Sequence, residues 1–97
     1  MNNWTYFATY QVSNSETRAL PQSFSELFIT QTDATFKVHF LIPQIIIPNV
    51  NNIDQALVLF NADSDYSSVL RIWSGGMEFM ASTDQSSSGL NYDVYYR

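Results

Sequence analysis

Apolar side chains recur every second residue along most of this chain, and stretches with helical spacing are scarce. In the first segment Trp4, Tyr6, Ala8, Tyr10 and Val12 mark one face, and Thr5, Phe7, Thr9 and Gln11 mark the other. Leu27 to Thr32 is a second segment. Phe36, Val38, Phe40 and Ile42 then alternate with Thr35, Lys37, His39 and Leu41. Ala56 to Phe60 is a continuous apolar run, which predicts a strand covered on both faces. Ser68 to Trp73, the turn signal Ser74-Gly75-Gly76 and Met77 to Ser82 predict a β-hairpin with positive-φ glycine in its loop. Ser86-Ser87-Ser88-Gly89 is the last polar connection before Leu90, Tyr92, Val94 and Tyr96.

Residue choice agrees with the period. Twenty residues are Val, Ile or Thr, whose branched Cβ suits a pleated surface better than a helix. Turn-forming clusters separate the segments at Ser13-Asn14-Ser15, Pro21-Gln22-Ser23, Pro48-Asn49, Asn51-Asn52 and Ala62-Asp63-Ser64-Asp65. Ser23, with Glu26 three residues later, also fits a short capped helical turn. The expectation is an all-β, single-domain antiparallel β-sandwich of jelly-roll character spanning residues 1–97.

Composition narrows the function classes. Ninety-seven residues suit one domain, and 45% hydrophobic with 15% aromatic residues can supply its core. Zero cysteine excludes a disulfide framework, a thiolate nucleophile and a Cys-based zinc site. Nine acidic against four basic side chains leave a net charge of −5, which argues against nucleic acid as a partner. The N-terminus lacks the basic and apolar regions of a signal peptide. The longest apolar stretch, Leu41 to Val50, is interrupted by Pro43, Gln44, Pro48 and Asn49, so no membrane insertion is expected.

Candidate chemistry is sparse. Asn61, Asp63 and Asp65 place oxygen ligands at alternate positions, as a calcium loop begins. The sixth position is Tyr66 where such a loop needs glycine, and the twelfth is Ile72 where it needs glutamate. A solvated turn between two strands is the favoured reading, with no metal and no cofactor. His39 has no recognisable nucleophile or carboxylate partner, and a chain this short leaves little room for a sugar cleft with two opposed acids. No enzymatic activity is expected. Six tyrosines and two tryptophans offer rigid amphipathic surfaces, with Tyr66 and Trp73 as candidate sugar platforms beside Asn61, Asp63 and Asp65. Tyr95 faces away from Tyr92 and Tyr96, Phe7 lies opposite Tyr6, and Phe28 sits between Leu27 and Ile29. Leu41-Ile42, Ile45-Ile46-Ile47 and Ala56 to Phe60 likewise carry more apolar faces than one sandwich interior needs, which predicts a homo-oligomer.

Several pieces come in a familiar order. Trp4 opens the first strand, Leu20-Pro21 leads into Ser25-Glu26-Leu27-Phe28-Ile29, and Phe36 to Pro43 follows. A Ser-rich stretch then precedes the finish Val94-Tyr95-Tyr96-Arg97. In these pieces the chain resembles short β-rich phage and prophage tail-associated proteins of Gram-positive gut-type bacteria, and the C-terminal tips of phage tail fibres. The resemblance runs from residue 4 to 97. It implies a virion structural or receptor-binding module, often a trimer, without catalytic machinery, located in the virion tail or in the host cytoplasm before assembly. Other tail proteins and a host cell-surface glycan are the partners it implies. Thirty-three Ser, Thr, Asn and Gln residues against thirteen charged ones supply neutral hydrogen-bonding groups for such a polymer. A free-standing carbohydrate-binding module and a purely structural assembly protein are the alternatives.

Overall fold

Strands form where the two-residue period predicts them. The computed structural model describes residues 3–12, 16–31, 39–62, 67–81 and 91–97. Among these residues the strands are β1 (Thr5–Gln11), β2 (Glu26–Gln31), β3 (His39–Pro43), β4 (Leu57–Ala62), β5 (Ser67–Trp73), β6 (Gly76–Ala81) and β7 (Asn91–Tyr96). They make a four-stranded sheet in the order β1-β7-β2-β3 and a three-stranded sheet in the order β4-β5-β6. Every pairing is antiparallel.

Alternation determines what lies between the sheets. Leu27, Ile29, Ile42, Tyr92 and Val94 from the first sheet meet Leu70, Ile72, Met77 and Phe79 from the second in one buried cluster. Phe79 and Tyr92 stack at 5.2 Å between ring centroids and so join the two layers. This is the all-β, sandwich-like architecture that the sequence pattern predicts. The order does not carry the jelly-roll refinement, because β4, β5 and β6 follow one another as a simple meander.

Three local differences have physical causes. Register shifts between Tyr6 and Ala8, so β1 contains a bulge at Phe7. The extra residue turns Phe7 toward the core together with Tyr10, while Tyr6 stays outside at 55% exposure. An unbroken alternation would have put Tyr6, Ala8 and Tyr10 on one face. Second, Ser23 caps no helix; the chain bends there and enters β2 at Glu26, while 3-10 turns form at Gln44–Ile46 and Ile53–Gln55. The second of these is capped by Asn52, whose Oδ1 accepts from the Asp54 N–H at 3.0 Å. Third, β4 lies at a sheet edge, and Val58 is 57% exposed rather than covered. The expected strand residues Phe36 to Val38, and the connection Ser86 to Gly89, lie outside the described residues.

The segment after β1 is held by Arg18. Its guanidinium lies 5.2 Å from the Tyr10 ring centre and 2.7 Å from Glu16, and the Tyr10 hydroxyl donates to the Ala19 carbonyl at 3.4 Å. Burial raises the Tyr10 phenol above its ordinary range, and the Arg18 charge offsets part of that rise. The folded state therefore holds this proton more tightly than the unfolded chain does. Its stabilising contribution is complete below about pH 10 and is lost as pH rises through the elevated value. Urea midpoints measured on either side of pH 10 should show an alkaline decline that is smaller in Tyr10→Phe.

Candidate functional site

Register places one side chain from each strand of the four-stranded sheet in a row across its outer face. Tyr6 is opposite Tyr95, Tyr95 is opposite Phe28, and Phe28 is opposite Leu41. Ring centroids are 5.6 Å apart for Tyr6–Tyr95 and 6.1 Å for Tyr95–Phe28. Trp4 and His39 extend the patch, each packing on Phe28, at 5.7 and 5.6 Å. The row alternates out of phase with the buried set, so Tyr95 faces away from Tyr92 as the sequence predicts.

Beside this row runs a polar one, Thr9–Asp93–Thr30–His39, again with one residue per strand. The Tyr6 hydroxyl and the Thr9 hydroxyl share a 2.6 Å hydrogen bond, and Thr9 donates to an Asp93 carboxylate oxygen at 2.6 Å. On the other flank Arg97 lies over Trp4 at 4.3 Å from its ring centre and donates from Nε to Glu26 at 2.9 Å. Arg97→Ala should lower stability by only about 0.5–1 kcal/mol, the worth of one exposed ion pair and one cation–π contact. Urea unfolding measures that loss, and the Trp4 fluorescence should shift with it.

The aromatic row is half-buried at Phe28 and Tyr95 and open at its two ends. Tyr6 and Leu41 are each 55% exposed, and past β3 the exposure continues in Ile45 at 87% and Ile46 at 50%. Among the described residues no group of three His, Cys, Asp or Glu side chains could hold a metal ion, and the His39 ring packs on Phe28.

A second feature lies where the loops around Leu20–Phe24 and Gln44–Asn49 meet the β5–β6 turn. It is an open cleft of about 530 Å³ whose lining among the described residues includes Leu20, Pro21, Phe24, Gln22, Gln44 and Asn49 and no charged side chain. Ser74 ties its floor, with its hydroxyl donating to the Val50 carbonyl at 3.0 Å and accepting from the Val50 N–H at 3.1 Å.

Of the residues chosen from sequence, Trp73 is 6% exposed and its indole nitrogen packs against Gly75, so it presents no open ring face. Asn61 lies in β4, and Asp63, Asp65 and Tyr66 fall outside the described residues. The outer row was signalled in the sequence by large apolar or aromatic residues on both faces of a strand, at Tyr92–Tyr95 and at Leu27–Phe28; its register was not. No family model, curated protein or solved structure matches this chain.

Proposed function

We propose that this chain is a non-catalytic β module of the phage-tail kind, which self-associates through the outer face of its four-stranded sheet. The observation that carries this reading is the contiguous row Tyr6–Tyr95–Phe28–Leu41, half-buried at its centre and exposed at Tyr6 and Leu41, with Ile45 and Ile46 exposed in the turn that follows β3. An exposed apolar patch of this kind loses water favourably when a partner covers it, and a second copy is always at hand. Neighbouring rings are tilted by 35° to 69°, so they offer no common plane for a flat sugar chain. Tilted rings leave ridges and gaps instead, which suit interdigitation with protein side chains. The tail assignment rests on the resemblance in Trp4, Leu20-Pro21 and Val94 to Arg97.

Receptor binding in this reading belongs to the cleft, where neutral amides and Phe24 without charge suit an uncharged polar ligand such as a cell-surface glycan. Repetition of that cleft by symmetry would turn weak single sites into avidity. The same cleft favours a second reading, a free-standing carbohydrate-binding module with one site per copy.

Leu41→Lys separates the readings. A substitution on an exposed site should change fold stability by less than about 0.5 kcal/mol. Sedimentation should nonetheless show the variant dissociating at concentrations where the parent stays assembled. Equal sedimentation of folded parent and variant would refute the outer face as the contact. For the cleft, calorimetric titration with neutral wall oligosaccharides should give heat that Gln44→Ala and Asn49→Ala reduce. A flat titration excludes glycan binding there.

A further inference from the structure

Each sheet edge exposes backbone N–H and C=O groups that another strand can pair with, and proteins block such edges with bulges, proline, charge or a covering segment. Three edges here have such a device. β1 has its bulge at Phe7, β3 ends in Pro43, and β6 contains Glu78 and is bridged by Arg18. Among the described residues β4 has none of them. Its sequence Leu57-Val58-Leu59-Phe60-Asn61-Ala62 contains no charge, proline or glycine, its register with β5 is unbroken over six pairs, and among the described residues no strand pairs with its other side.

The ladder also tells which groups point outward. The Arg18 N–H donates to the Met77 carbonyl at 2.7 Å, and the Met77 N–H donates to the Arg18 carbonyl at 2.9 Å. The backbone groups of Met77 therefore point away from β5. Antiparallel pairs alternate in direction, so those of Ile72, opposite Met77, point away from β6 and toward Leu57. The same phase carries Leu59 and Asn61 toward β5. Val58, Phe60 and Ala62 are left with their N–H and C=O groups directed at the open edge.

We infer that β4 is an edge-to-edge docking site for a second copy of this chain, antiparallel and centred on Phe60, which joins two three-stranded sheets into one of six. The occupant is a second copy because β4 is complementary to itself. A two-fold axis at Phe60 opposes Val58 to Ala62 and Leu59 to Asn61, so each outward backbone group meets a partner. No charge faces a like charge, although the chain as a whole has a net charge of −5. Val58, 57% exposed on the outer side of the sheet, would then gain a cross-strand neighbour. This contact rests on the self-association reading, but uses a different surface from the aromatic row.

The test uses the whole chain in three forms: the parent, Val58→Pro and Val58→Lys. Proline at an edge position removes only the outward N–H, and lysine adds the missing edge charge. Both variants should keep the parent's strand signal in circular dichroism and need a higher concentration to assemble, roughly tenfold for Val58→Pro, the size of two lost backbone hydrogen bonds. In the parent, hydrogen exchange at the amides of Val58, Phe60 and Ala62 should slow as concentration rises, while Leu57, Leu59 and Asn61 stay protected throughout. Free exchange of those three outward amides in the assembled parent overturns the inference, as does a folded variant of either kind that assembles like the parent; Leu41→Lys then still tests the outer face. A parent that never assembles overturns both.

Discussion

Phe79→Ala is expected to lower stability by about 3–5 kcal/mol, the cost of removing a fully buried aromatic side chain. Phe79 is 1% exposed and touches both layers, stacking on Tyr92 at 5.2 Å and meeting Tyr10 at 5.8 Å. Alanine would leave a cavity at the seam between the sheets, where collapse would require one whole sheet to move. Domain stabilities run to about 5–15 kcal/mol, and a chain of 97 residues belongs toward the lower end. The loss therefore removes a large share of the total. Urea unfolding should show a midpoint lower by roughly 2 M with an unchanged slope. Phe79→Leu should recover part of the difference, since it refills much of the cavity but loses the ring and its stacking. A midpoint for Phe79→Ala within experimental error of the parent would mean that the two sheets do not share this core.

Gly76→Ala is expected to cost about 2–3 kcal/mol for reasons that involve no core volume. Gly76 has φ of 147°, which side chains rarely adopt, and an added Cβ would lie 2.6 Å from the Arg18 carbonyl oxygen. That atom is backbone, and it accepts the Met77 N–H, so it cannot give way without losing the bridge to β6. The melting temperature should drop by roughly 10–20 °C. Exchange of the Arg18 and Met77 amides should accelerate more than exchange at Leu27 or Val94. A uniform increase would locate the strain elsewhere. Loss of this bridge would also strip β6 of its cover and expose a second open edge.

These residues also show what the sequence made legible. The strands, the β5–β6 turn with its positive-φ glycine, and the inward set from Leu27 to Val94 follow from alternation, because a period of two leaves only a choice between faces. The bulge at Phe7 did not follow. A single inserted residue leaves no mark on composition, yet it reverses the side on which Tyr6 lies. The edge position of β4 was hidden for a similar reason. Leu57 to Phe60 reads as apolar on both sides whether neighbouring strands or another molecule cover it, and only strand order distinguishes these cases. The aromatic row depends on the register of four strands drawn from both ends of the chain, so Tyr6, Tyr95, Phe28 and Leu41 could be flagged singly but not assembled. Trp73 misleads in the opposite direction, since tryptophan beside a turn suggests a platform while the close approach of Gly75 covers it.

In the proposed assembly, apolar surface that one copy leaves wet, at Tyr6, Leu41, Ile45 and Val58, is covered by other copies. Light scattering on the parent protein at tens of micromolar tests this most directly. The predicted result is a defined particle whose mass is a whole multiple of 11.1 kDa, at least twice that value. A stable, monodisperse particle of 11.1 kDa would contradict it.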